Sequence, residues 1–174
     1  MTSDSRIKAL LGAAVLLIAT VVIVLVAQGG GSSDSSGSDL TDTSVKPKIE
    51  VPDGAPPKKL ETKDIVDGDG EAAKSGDMLT VQYVGVDYET GKEFDASWDR
   101  GQPFPFTLGG GQVIPGWDKG LVGMKVGGRR ELTIPSDLAY GAQGQPPAIG
   151  PDATLIFVID LVSIDPPATG SATP

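Results

Sequence analysis

The sequence of 174 residues contains neither cysteine nor histidine, and it is poor in aromatic side chains. Without cysteine the chain can form no disulfide framework, zinc–thiolate site, thiol nucleophile or lipid-modified cysteine. Without histidine it lacks the commonest general base and metal ligand, which removes Ser-His-Asp hydrolysis and most transition-metal chemistry. Any chemistry must therefore use carboxylates, hydroxyls, backbone groups or the shape of a pocket.

Positive charge is also scarce. The chain has 14 Lys and Arg against 23 Asp and Glu, a formal net charge of -9 and a pI near 4.4. Nucleic-acid binding needs clustered Lys and Arg, so no nucleic-acid partner is predicted. The Asp- and Gly-rich residues 66–70 lack the ligand spacing of an EF-hand, and residues 109–111 are not followed by a phosphate-loop lysine. We therefore expect neither a metal nor a cofactor.

Residues 9–27 carry no charge and have Thr20 as their single polar side chain. As a helix they would span ~28 Å, close to the hydrocarbon thickness of a bilayer. They predict an uncleaved transmembrane anchor; the alternative is a cleaved signal peptide, whose apolar region usually has roughly 7 to 15 residues. Because Arg6 and Lys8 precede the segment and the next basic residue is Lys46, residues 1–8 are predicted to be cytoplasmic. A single-pass membrane protein with an extracytoplasmic domain follows.

The rest of the chain divides into a linker, a domain and a tail. Residues 28–56 begin with a Gly-, Ser- and Asp-rich stretch, which predicts a flexible linker. Residues 166–174 predict a disordered tail. The folded domain is expected at residues 57–165.

Several segments of this domain show the period of two that is typical of strands. Apolar residues alternate from Leu79 to Tyr83 and change phase after Gly85, which predicts a bulge or bend there. Residues 129–134 alternate again, while residues 154–164 are almost continuously apolar, as in a central antiparallel strand. One short helix is predicted to begin near Pro115 and to bury Trp117. The fold class is therefore α+β, a twisted antiparallel sheet wrapped over one helix.

The few aromatic side chains are concentrated in residues 91–121, which hold three of the four Phe and both Trp. Aromatic rings bury much area, so such a concentration indicates a core, a pocket or both. Several of these rings lie beside segments that read as loops, such as residues 109–112 and 140–151. This placement favours a pocket over a purely structural core.

Short motifs in this region, spread over residues 76–164, closely resemble those of the FKBP-type peptidyl-prolyl isomerases. They are Phe94-Asp95, Phe104-Pro105-Phe106, Leu108-Gly109, Val113-Ile114-Pro115-Gly116-Trp117 and Ala139-Tyr140-Gly141. The resemblance implies a half-barrel sheet of about five strands around a short helix, and peptidyl-prolyl cis-trans isomerase activity. It also implies X-Pro polypeptides as partners and the family's macrolides as inhibitors. A monomer is expected.

The resemblance further implies a prolyl pocket. Trp117 would form its floor, Tyr140 and the N–H of Ile114 would donate hydrogen bonds to the substrate, and Asp95 would lie at the rim; these four residues would carry catalysis. The remaining substrate-binding residues would be Tyr83, Phe94, Phe104, Phe106, Val113, Ile149 and Phe157. Many family members have a His where Gln145 stands and a larger aliphatic residue where Ala148 stands.

An apolar pocket suits the rotation of an amide bond without a covalent intermediate. Amide resonance separates charge and sets a barrier of ~18–20 kcal/mol, so a site that desolvates the bond or binds its twisted form lowers that barrier. We expect the enzyme to accelerate X-Pro isomerisation during the folding of exported proteins. One alternative is a non-catalytic module or chaperone that binds proline peptides in the same pocket, and another is a purely structural surface domain.

Overall fold

The computed structural model describes residues 40–165. The predicted cytoplasmic N-terminus, the anchor at residues 9–27, residues 28–39 of the linker and the tail at residues 166–174 lie outside this range. Between residues 40 and 165, no helix is long and apolar enough to cross a membrane. The domain boundary at residue 57 stays a prediction.

Residues 40–165 form one antiparallel sheet of six strands, which confirms the expected sheet type. The strands are β1 (Glu61–Val66), β2 (Met78–Asp87), β3 (Glu93–Ala96), β4 (Phe104–Thr107), β5 (Arg129–Ile134) and β6 (Leu155–Asp165). Their order is β1-β5-β6-β2-β3, and β4 also pairs with β2. The apolar β6 is central as predicted, because it pairs with β5 on one side and with β2 on the other.

One face of the sheet, here the helix face, packs against the predicted helix. The described part of the chain contains two short α-helices, α1 (Ser97–Arg100) and α2 (Pro115–Gly120), and α2 begins with the expected proline. A Cβ at Gly116 would collide with Ile134, and a Cβ at Gly120 would lie 2.8 Å from Leu132. The two glycines therefore let α2 approach β5 closely enough to bury Trp117 in the main hydrophobic core.

The structure confirms the predicted bulge in β2. The pairing of β2 with β3 shifts register between Gly85 and Val86. Because successive residues of a strand face opposite sides of the sheet, Leu79, Val81 and Tyr83 join the core on the helix face. Val84, Val86 and Tyr88 instead form a second buried cluster with Ala96 and Ile156 on the outer face.

The expectation of about five strands and one helix differs from the structure in its short elements. Besides the six strands and α2, the described residues form α1 and two 3₁₀ turns at Ser136–Leu138 and Gly141–Gln143. These elements have three or four residues, which is too short for the sequence to display a helical period. Strand β1 was hard to recognise for another reason: four of its six residues are exposed, so it carries little apolar alternation.

Residues 40–51, hereafter the strap, lie against the outer face although the sequence predicts a flexible linker there. Ile49 and Val51 pack against the second buried cluster. Pro47 is buried, and the Lys46 ammonium pairs with Glu93 and Asp99. The polar composition of residues 28–44 hides this packing, because the anchoring groups of the strap are mainly backbone carbonyls.

Those carbonyls bind a fully buried arginine. The Arg129 guanidinium pairs with Asp160 through Nε (2.5 Å) and Nη2 (2.8 Å). Its Nη atoms also donate to the carbonyl oxygens of Leu40, Asp42 and Val45, each at 3.0 Å. All five donors of the side chain are thus used. The strap supplies three of their partners, so it completes the burial of this ion pair.

The buried pair yields a stability prediction. We expect Asp160→Asn to lower the free energy of unfolding by about 3–5 kcal/mol, because it leaves the Arg129 charge buried without its counter-charge. Urea unfolding of the full chain measures the change.

The matched control is Asp64→Asn. It removes the partner of the neighbouring Arg130, which is held by the same two-point geometry at 2.6 and 3.0 Å. The Asp64 side chain is 45% exposed, so this loss should be less than about 1 kcal/mol. Equal losses in the two variants would contradict the role assigned to the strap-covered pair.

Candidate functional site

A cavity with a volume of about 320 Å³ opens beside α2. Its lining comes from β2, β3, β4, β6, α2, the loop that precedes α2 and the turn near Tyr140. The lining residues are Tyr83, Phe94, Asp95, Phe104, Gln112, Val113, Ile114, Trp117, Tyr140 and Phe157. A mostly aromatic and aliphatic cavity of this size, with few polar groups, is typical of a small-ligand site.

Trp117 is held at the base of the cavity by the edges of other rings. Its ring centroid lies 5.1 Å from that of Tyr83 and 5.2 Å from that of Phe157, with interplanar angles of 81° and 87°. Phe104 adds a third edge-to-face contact at 6.3 Å. Such contacts match the positive edge of one ring to the negative face of another. They fix the indole plane, so Trp117 offers a rigid apolar surface.

The wall formed by Phe94 and Phe157 depends on the glycine at the bulge. The two rings meet edge to face with centroids 5.5 Å apart. A Cβ at Gly85 would lie 2.7 Å from both rings, which is closer than carbon atoms can pack. The absence of a side chain at residue 85 is therefore what allows both rings to line the cavity.

The charged rim consists of Asp95, Tyr83 and Arg100. The Tyr83 hydroxyl donates to Asp95 at 2.5 Å, and Arg100 donates to Asp95 and, at 2.8 Å, to the Tyr83 oxygen. The Arg100 guanidinium also lies 5.5 Å from the centre of the Tyr83 ring. Burial, followed by the hydrogen bond to Asp95, raises the pKa of Tyr83 to about 12. Since Asp95 is already engaged by two donors, it is suited to orient Tyr83 and Arg100 and not to transfer a proton.

Tyr140 provides a further polar group in the lining of the cavity. Burial, with a smaller contribution from the Asp95 charge, raises the pKa of its hydroxyl, so it stays protonated at neutral pH. Within residues 40–165 the hydroxyl has no hydrogen-bond partner, and it remains available as a donor. Ile114 lies directly before α2 in extended conformation, where its carbonyl accepts from the N–H groups of Trp117 and Asp118.

The structure brings together nine of the eleven residues that the sequence assigned to the pocket. The other two are buried behind the lining. Phe106 packs against Trp117 with ring centroids 5.6 Å apart, and Ile149 is only 3% exposed within the main core. Sequence reasoning missed Gln112, whose side-chain oxygen accepts the N–H of Thr107 at 2.7 Å. Its place directly before Val113 was the available signal. The binding roles of all these residues stay predictions.

The rim gives a titration prediction. The folded pKa of Tyr83, about 12, lies above the ordinary value of 10.0. The protonated phenol therefore contributes stability that is complete below about pH 10 and is lost as the pH rises through about 12. We expect tyrosinate absorbance, recorded directly after rapid jumps to increasing pH, to show an ionisation step near pH 12 that Tyr83→Phe removes. Loss of a step near pH 10 instead would contradict the assigned environment.

Comparison with known proteins agrees with this geometry. The chain is 58% identical over 120 residues to an FK506-binding protein of Streptomyces anulatus, which covers 68% of this chain and 97% of the relative. It is 52% identical over 118 residues to a probable FK506-binding protein of Corynebacterium glutamicum, covering 68% of this chain and 98% of the relative. These matches span nearly the whole of each relative.

Solved structures are similar as well. The crystal structure of AtFKBP13 matches with a TM-score of 0.57 and 38% identity, covering 61% of this chain and 93% of that one. FkpA from Escherichia coli matches with a TM-score of 0.56 and 44% identity, covering 62% and 48%. The family model of the FKBP-type peptidyl-prolyl cis-trans isomerases matches residues 69–162, which contain every residue of the cavity lining. The chain therefore belongs to the FKBP-type peptidyl-prolyl cis-trans isomerases.

Proposed function

We propose that the cavity is the prolyl site of this isomerase and that Trp117 supports the proline ring of the substrate. The observation that carries the proposal is the rigid indole at the base of an apolar cavity, with the unpaired Tyr140 hydroxyl at its edge. Phe94, Phe104 and Phe157 then form the walls. Tyr140 and the N–H of Ile114 donate to carbonyl groups of the substrate on either side of the ring.

This arrangement favours the twisted amide over either planar isomer. The partial charges of a planar amide are stabilised by water, and an apolar cavity removes that water. A twisted amide has lost part of its charge separation, so it gives up less stabilisation by water when it enters the cavity. Fixed donors at Tyr140 and Ile114 hold the two ends of the substrate in the turned geometry. No residue of the site has to form a covalent bond or exchange a proton.

The same cavity is proposed to bind FK506-type macrolides, as the names of the relatives from Streptomyces and Corynebacterium indicate for those proteins. Two observations bear on affinity. Ala148 is exposed and does not line the cavity, and the loop beside it carries Gln145. A small side chain beside the cavity offers less apolar surface to a large ligand, so macrolide binding should be weaker than in family members with a larger aliphatic residue at this position.

The test of the site is catalysed exchange of a short X-Pro peptide, followed by NMR with the full chain in detergent. We expect Tyr140→Phe to lower kcat/KM about 2- to 13-fold, the value of one neutral hydrogen bond of about 0.5–1.5 kcal/mol. Asp95→Ala and Trp117→Ala should also reduce exchange. Trp117→Leu is measured beside Trp117→Ala, because leucine leaves a smaller void in the core than alanine and destabilises the fold less.

The matched control is Tyr88→Phe. It removes a hydroxyl group from a tyrosine that belongs to the second buried cluster and does not line the cavity. The exchange rate should therefore stay unchanged. Peptide binding without enhanced exchange would favour the non-catalytic binding module. An equal loss in Tyr88→Phe and Tyr140→Phe would remove Tyr140 from the site.

We further propose that the chain is anchored by residues 9–27 and acts on exported proteins outside the cytoplasm. The proposal is supported by the uncharged composition of residues 9–27, with Arg6 and Lys8 before it. Uncatalysed X-Pro isomerisation takes tens to hundreds of seconds, long enough to limit folding. A catalyst that needs neither ATP nor metal suits an external compartment.

The absence of cysteine makes this location testable. Lys58 is exposed, so Lys58→Cys should react in intact cells with a maleimide that cannot cross membranes. Ser3→Cys, in the predicted cytoplasmic segment, should react only after the cells are permeabilised. Labelling of Ser3→Cys in intact cells, or protection of Lys58→Cys, would contradict the proposed orientation.

A further inference from the structure

The Lys46 side chain joins the strap to the segment that carries the rim of the cavity. Its ammonium nitrogen lies 2.8 Å from Glu93 Oε1 and 2.8 Å from Asp99 Oδ1. A second contact to Asp99 measures 2.9 Å. Burial alone would lower the pKa of Lys46, but its hydrogen bonds to Asp99 and Glu93 outweigh that effect and raise it. The same contact is the main cause of a lowered pKa at Asp99.

The two carboxylates bracket functional residues. Glu93 begins β3 and Asp99 is the third residue of α1. Between them lie Phe94 and Asp95, which line the cavity. Arg100, which binds Asp95, directly follows Asp99. One ammonium group therefore bridges the start of β3 and the helix α1, on either side of the wall residue Phe94 and the rim residue Asp95.

This element has little to hold it in place from within. Helix α1 has four residues, too few for its own hydrogen bonds to stabilise it. Its one fully buried residue is Ser97, whose hydroxyl accepts the N–H of Tyr83 at 2.8 Å and donates to Gln82. The remaining support comes from outside the segment, and part of it is the pairing of β3 with β2. Trp98 packs against the second buried cluster, which Ile49 and Val51 of the strap also contact.

The strap itself has a firm attachment. Three of its carbonyl groups accept hydrogen bonds from the buried Arg129 guanidinium. The last of them belongs to Val45, the residue directly before Lys46. Lys46 is thus placed by a fixed backbone and does not reach out from a free tail. The strap also precedes residues 69–162, the part of the chain that matches the family model.

We propose that Lys46 is a positioning residue for the isomerase site: the strap holds β3 and α1 through Lys46 so that Phe94, Asp95 and Arg100 keep their places around the cavity. The proposal rests on the proposed function for its effect on catalysis. Its effect on the rim, which is carried to Trp117 through Tyr83, does not depend on any substrate.

The test uses the full chain and four variants, of which two are single substitutions of Lys46 and two carry Asp99→Asn, without and with Lys46→Met. We expect Lys46→Met to lower kcat/KM for X-Pro exchange about 2- to 5-fold, the range for a partly exposed ion pair. Lys46→Arg keeps the charge and should restore most of the activity. In an Asp99→Asn background, Lys46→Met should cost less than it does alone, because the two residues act as a unit.

A readout without substrate separates this proposal from the proposed function. The chain has only two tryptophans, so Trp98→Phe assigns both indole N–H resonances. Lys46→Met should shift the Trp117 resonance as well as that of Trp98, because Trp117 contacts Tyr83, which is bonded to Asp95 and Arg100. This shift is expected even if the wild-type chain fails to turn over the peptide.

The matched control is Lys74→Met, which removes an exposed pair with Glu71 at 3.1 Å and does not involve β3 or α1. It should change neither the exchange rate nor the indole resonances. The proposal is overturned if Lys46→Met leaves the Trp117 resonance and the exchange rate unchanged, or if Lys74→Met alters both to the same extent. A lower rate in Lys46→Met that Lys46→Arg does not restore would also overturn it.

Discussion

The edge-to-face packing of other rings around Trp117 is the interaction on which the rest of the molecule depends. The indole can lie at the base of a cavity only because Tyr83 and Phe157 hold it from the sheet. Glycines at both ends of α2 then allow the helix to come close to β5. A cavity normally weakens a core, because its lining atoms lose contacts on one side. Here rigid rings limit that loss, and the apolar space remains open for a ligand.

Strand β2 connects this inner site to the outer face. Its side chains alternate between the main core, which includes Tyr83, and the second cluster, which includes Val84. A strand that is buried on both faces needs cover on both. Helix α2 covers one face and the strap covers the other. The strap is therefore an integral layer of the domain, even though its composition is that of a linker.

Much of the fold could be predicted from the sequence, because apolar period and glycine position report directly on strands and bulges. The phase change at Gly85 and the central place of residues 154–164 are examples. The position of Arg129 could not be predicted. Alternation places it on the outer face of β5, where a charged residue normally meets water, yet it is fully buried. The covering groups are backbone carbonyls of the strap. Every residue has a backbone carbonyl, so the sequence does not show which of them bind Arg129. For the site, the resemblance placed nine residues at the cavity, but depth is a property of packing, so it did not separate Phe106 from the lining.

The attachment of the strap also has a mechanical consequence. A pull on the chain from its N-terminal side reaches the domain first at the carbonyls of Leu40, Asp42 and Val45, all held by one guanidinium. These bonds must break together or in close succession before the load reaches Lys46 and then β3. Arg129 is itself fixed to β6, the central strand, through Asp160. The force is thus passed to the middle of the sheet, and the edge strand that carries the rim of the cavity is spared.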